Sequence, residues 1–166
     1  RAVSKFVQAD DLIVPYSANS LEDAEAIVHV LRMSENEIRK QQVSGFYKDI
    51  ELGQPPVVEN QVKDAERRLE GISKDGNQQD QFVILEMHVD LDLEEYAIED
   101  APKNVKVPYI VTIDEGSSQI LSIYRNYQPF DETYKRKEYF VHFKFLPGLG
   151  FYGFGLTHMI GGLSRT

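Results

Sequence analysis

The chain has 166 residues, 42% apolar and 27% charged, which is enough to bury a substantial core and excludes a disordered or fibrous protein. Its 27 acidic and 18 basic residues leave a net charge of −9, which argues against a surface that grips nucleic acid by neutralising phosphates. No cysteine occurs, so disulfides and thiolate metal sites are excluded and a reducing compartment is expected. No apolar run approaches the roughly 20 residues needed to span a bilayer, and no basic-then-apolar leader opens the chain, so a soluble protein is expected.

In chain order, Asp10-Asp11-Leu12-Ile13-Val14-Pro15 predicts a short strand or extended arm closed by its proline. Ser20 and Asp23 stand in capping-box positions. After them Ala24, Ile27, Val28 and Leu31 form a stripe at helical spacing, which predicts a helix over about 20–32. A second box, Ser34 with Glu37, predicts a helix over 35–43 that stops before Gly45. These two helices read as a packed pair. A DNA-binding helix-turn-helix, with Arg39, Lys40, Gln41 and Gln42 reaching bases, is the weaker alternative on so acidic a chain. Val58, Val62, Ala65, Leu69 and Ile72 predict a third helix over about 58–73, and the polar run 74–80 closes this half.

From residue 81 the apolar period changes from 3.6 to 2. Val83, Leu85, Met87, Val89, Leu91 and Leu93 share one face of a strand over about 82–93, expected to be the buried one. Glu86, His88, Asp90 and Asp92 share the other. Strands over about 107–113 and 119–126 form a hairpin through a loop whose Gly116 can take a left-handed conformation, and a fourth strand is predicted over about 138–146. A helix starts near residue 156. The fold class is therefore α+β, with N-terminal helices packed on a mostly antiparallel sheet. The organisation is read as one domain over 1–166, helical over 1–75 and sheet-forming over 81–166, and as a piece of a larger protein.

Few residues suggest chemistry. No nucleophile elbow is present and the carboxylates are scattered, so no catalytic residue is nominated and an enzyme is not expected. His88, Asp90 and Asp92 are suitable ligand types for a divalent metal, but alternate strand residues stand roughly 6.5–7 Å apart, so a solvated strand face is the stronger reading. Lys135-Arg136-Lys137, the one basic run, reads as a solvated strand entry. Gly148-x-Gly150-x-x-Gly153 has the spacing of a dinucleotide-binding turn. Against that reading, it follows strands of antiparallel character, Pro147 sits in the turn, and Leu149, Phe151, Tyr152 and Phe154 fill the intervening positions. Phe151, Tyr152, Gly153 and Phe154 are better candidates for a packing turn or a subunit interface. A small-ligand domain using Gly148–Gly155 or the His88/Asp90/Asp92 face remains the alternative function.

Two stretches carry a family resemblance. The first runs from Asp10-Asp11-Leu12-Ile13-Val14-Pro15-Tyr16-Ser17-Ala18 through Leu21-Glu22-Asp23-Ala24, His29 and Met33-Ser34-Glu35-Asn36-Glu37 to Gly45-Phe46-Tyr47. The second comprises His88-Val89-Asp90-Leu91-Asp92, Pro108-Tyr109-Ile110-Val111-Thr112-Ile113, Arg125-Asn126-Tyr127, Phe140 to Gly148, and Phe151-Tyr152-Gly153-Phe154-Gly155-Leu156. In order and spacing they resemble the portal protein, or head–tail connector, of tailed bacteriophages, in a podovirus-like branch. The resemblance implies a structural, cofactor-free part of a typically dodecameric ring at a capsid vertex, through which the genome is packaged and ejected. It further implies a wing-domain fragment without stem helices, clip or tunnel loop. Capsid and scaffold proteins, terminase and head–tail adaptor would be partners of the full-length protein. Double-stranded DNA would pass without tight binding to this part, no membrane would be involved, and the protein would reside in the virion, or in the host cytoplasm during assembly.

Overall fold

The structure, a computed structural model, describes residues 3–55, 81–96, 104–144, 146–148 and 150–161; the helix predicted over 58–73 lies outside them. Five strands form one antiparallel sheet in chain order: β1 (Leu12–Ile13), β2 (Ala26–Ser34), β3 (Gln81–Leu91), β4 (Val107–Asp114) and β5 (Gln119–Arg125). Among the described residues two α-helices accompany it, α1 (Glu35–Val43) and the five-residue α2 (Leu156–Ile160). The class is α+β, as expected from the sequence, with the sheet dominant.

The helix expected over 20–32 is a correction. The reciprocal bonds of its capping box do form: Ser20 N–H donates to Asp23 Oδ1 at 2.8 Å, and Asp23 N–H donates to Ser20 Oγ at 3.3 Å. They close only a turn, and the chain then enters β2, which pairs with β1 in the register Leu12↔His29 and Ile13↔Val28. Ile27, Val28 and Val30 are stiff at χ1 and fit a pleated surface better than a helix. Ile27 and Leu31, four apart, satisfy both periods, so the apparent helical stripe did not discriminate. Neither the packed helix pair nor the helix-turn-helix survives, because α1 is entered directly from a strand. The second box is complete: Ser34 accepts from Glu37 N–H while the Glu37 carboxylate accepts from Ser34 N–H at 3.0 Å.

Contacts divide the chain into two units interleaved along the sequence: Val30–Glu86 with Thr112–Ser122, and Arg1–His29 with Met87–Val111 and Ile123–Thr166. The first is built around Ile38, Tyr47, Phe82, Ile84 and Leu121, flanked by Leu31, Met33, Ile50 and Leu52. Phe82 and Ile84 occupy the β3 face expected to be solvated, while the Val83 and Leu85 face is only half-buried. The alternation was read correctly but the inner face was reversed, because both faces of this strand begin with apolar residues. Gln42, buried on α1, donates its side-chain amide to the Lys48 and Ile50 carbonyls, and Lys48 N–H donates to Leu121 O on β5 at 2.7 Å.

At the end of β4, fully buried Asp114 accepts from Gly53 N–H (2.8 Å), Ser117 N–H (3.0 Å) and Ser117 Oγ–H (2.6 Å). Burial pushes its carboxyl up, but these donors together outweigh that and hold it below the usual carboxylate range. The tie brings residue 53 against the β4–β5 loop so closely that a Cβ on Gly53 would lie 2.2 Å from the Gly116 carbonyl carbon. Gly53 is therefore required for space, and so is Gly116, whose Cβ would lie 2.7 Å from Gln54 O. The left-handed residue of this turn is Ser118, at φ 56°, rather than Gly116.

The second unit has a small apolar cluster of Ala18, Ala24 and Ile27, packed by Leu12, Val14, Leu21 and Phe140. Beside it, Tyr109, Tyr127 and Tyr134 make a chain of edge-to-face contacts. Tyr109 O–H donates to Leu93 O, and burial pushes its phenol up to about 12. Beyond β5, Asn126 N–H donates to Pro108 O and Asn126 O accepts from Lys137 N–H. The strand expected over 138–146 is a second correction: residues 138–144 belong to no strand, and only Leu146 forms an antiparallel bridge, to Phe154. From Tyr139 to Lys144 the two-residue alternation is present as burial, with no ladder beside it among the described residues.

Candidate interaction surface

The stretch from Arg136 to Lys144 is attached to its unit by alternate side chains. Arg136, in the basic run expected to be solvated, is instead a clamp. Its guanidinium donates to Ala24 O (3.0 Å), Glu25 O (3.2 Å) and Asp90 Oδ1 (2.9 Å). The fork geometry of arginine suits three acceptors on two chain segments, and nothing in the sequence distinguishes this residue from its lysine neighbours. Phe140 presents its ring edge-to-face to His88 at 5.1 Å and His29 at 5.6 Å. His142 stacks on the buried Phe151 at 4.2 Å between ring centroids. Lys144 Nζ donates to Asn19 O (3.0 Å) and Gly150 O (3.1 Å).

The intervening side chains point the other way. Tyr139, Val141 and Phe143 are 59%, 84% and 92% exposed, although Tyr139 still meets His88 edge-to-face. The apolar exposure continues beyond the turn through Tyr152, Phe154, Leu156, Met159 and Ile160. Exposed apolar side chains gathered in one part of a chain can mark a contact.

The glycine turn connects these two exposed stretches. Gly150 and Gly153 take φ of 95° and 68°, and a Cβ on Gly153 would lie 2.6 Å from Leu146 O, so both the conformation and the close approach demand glycine there. Phe154 N–H donates to that same Leu146 O at 3.0 Å, and the Phe154 ring covers Gly148. Of the four turn residues singled out, Phe151 packs inward, Gly153 shapes the backbone, and Tyr152 and Phe154 are exposed, with Tyr152 O–H donating to Leu12 O. The sheet that precedes this turn is antiparallel, and the parallel strand context of a dinucleotide fingerprint does not occur among the described residues.

His88, Asp90 and Asp92 are not brought together as ligands. His88 is 2% exposed, its Nδ1 lies 3.4 Å from the Asn126 side-chain amide, and Asp90 is paired with Arg136. The face expected to be solvated is thus buried at His88. Among the described residues no group of three or more His, Cys, Asp or Glu could hold a metal, and no helix is long and apolar enough to cross a membrane. In α1, Arg39 pairs with Asp49 and Gln42 is buried, so two of the four residues nominated for base contact are engaged within the chain.

No protein-family model, curated protein or solved structure matches the chain.

Proposed function

We propose that the chain is a structural component of a phage portal ring, part of its wing, in the assembly through which the genome is packaged and ejected. The observation that carries this reading is the set of exposed apolar side chains beyond the glycine turn, Tyr152, Phe154, Leu156, Met159 and Ile160, which follow a stretch whose Arg136 and Lys144 are committed to holding it to its unit. Such a surface suits burial between subunits. The ordered portal-like stretches supply the family, and the net charge of −9 suits a body that lets DNA pass without adhering. Wing contacts to neighbouring subunits would fall on Tyr152 and Phe154, with Phe151 and Gly153 shaping the turn beneath them. Capsid, scaffold, terminase and adaptor contacts belong to the full-length assembly.

The test is the oligomeric state of the full-length protein by mass photometry and electron microscopy. Annular particles with a central opening are expected. A monomer without rings under assembly conditions overturns the proposal.

A further inference from the structure

Residues 138–144 read Glu-Tyr-Phe-Val-His-Phe-Lys. Among the described residues none of their main-chain groups takes part in a backbone–backbone hydrogen bond. From Tyr139 to Lys144 exposed and partly buried side chains nevertheless alternate, as in a strand. A strand-like segment without a ladder is a ready template for pairing with another chain. Its sequence also specifies which chain. Placed antiparallel to itself about Val141, it sets Glu138 opposite Lys144, Tyr139 opposite Phe143, Phe140 opposite His142, and Val141 opposite Val141. Each end pairs opposite charges, each flank pairs aromatic rings, and the centre pairs a β-branched residue with itself, which are the cross-strand combinations that stabilise sheets. Lys144 has a donor for this role, since its ammonium spends two of three hydrogens on Asn19 O and Gly150 O.

We infer that residues 138–144 are a self-pairing strand through which a second copy of this chain docks, antiparallel and two-fold symmetric about Val141. The inference does not rest on the ring reading, because a two-fold contact closes on two copies and cannot by itself build a ring.

The chain has no cysteine, so a single introduced thiol reports the register without background. Directly opposed residues stand about 4.5–5.5 Å apart at Cα, within disulfide reach. V141C should therefore cross-link into a covalent dimer under mild oxidation. Y139C, displaced by four residues from its own copy and so roughly 14 Å away, should not. Y139C mixed with F143C should cross-link. Both Tyr139 and Val141 are exposed, so folding is not at stake. E138K faces Lys144 with a like charge at both ends of the pair and should weaken the dimer roughly tenfold in sedimentation. Cross-linking of V141C no faster than Y139C, or an E138K dimer as tight as the parent, overturns the inference.

Discussion

The two units solve the same problem differently. The unit of Val30–Glu86 and Thr112–Ser122 closes an apolar core around Ile38 and Ile84, both fully buried, and uses one buried carboxylate to tie its loops together. The unit containing residues 123–166 has a smaller apolar cluster and relies on ring contacts and a multidentate arginine, while several of its largest apolar side chains face outward. Area removed from water scales with stabilisation at roughly 25 cal/mol per Å², so a residue such as Phe143 contributes to its own unit little of what Phe82 contributes to the other. The first unit places its core side chains away from water, and the second leaves several of its largest apolar side chains exposed.

The largest expected effect tests the closed core. Ile84→Ala removes a side chain with no exposure from β3 and should cost about 2–5 kcal/mol in urea unfolding. A cost under about 1 kcal/mol would mean that the core is loose and that the contrast between the units fails. Next comes the polar fastening of the other unit. Arg136→Gln loses the fork that reaches Ala24 O, Glu25 O and the partly exposed Asp90, and should cost about 1–2 kcal/mol. Arg136→Lys should recover only part of it, because a single ammonium nitrogen cannot stand where both Nη1 and Nη2 of the arginine stand. Full recovery by lysine would reduce the clamp to a simple ion pair.

Much of the fold was legible where one local signal acted alone. The Ser34–Glu37 box, the 81–91 alternation and the 107–125 hairpin lie where the periodicity or capping chemistry placed them. Legibility ended where two signals conflicted. Ser20 and Asp23 made the bonds of a helix start, but the β-branched residues after them, and pairing of His29 and Val28 with β1, decided for a strand. In β3, Phe82 and Ile84 matched the apolar character of Val83 and Leu85, and only packing against Ile38 and Leu121 determined the inner face. The roles of Arg136 and Asp114 were invisible for another reason. Their partners are the carbonyls of Ala24 and Glu25 and the amide of Gly53, far away in sequence, and main-chain groups carry no residue-type signature.

The smallest effect concerns the hinge between inward and outward side chains. Burial, assisted by the Lys144 ammonium, lowers the His142 imidazole below its ordinary value near 6.5. The folded chain therefore binds this proton less readily than the unfolded chain. Stability supplied by neutral His142 is whole above pH 6.5 and is lost as pH falls from 6.5 toward the lower folded value. His142→Phe keeps an aromatic ring on Phe151 and removes the titration, so its unfolding free energy should fall less than the parent's over that interval, while the two proteins run parallel above pH 7. Chemical denaturation at half-unit pH steps reads the difference. Identical acid slopes would mean that the stack on Phe151 does not restrain protonation of His142.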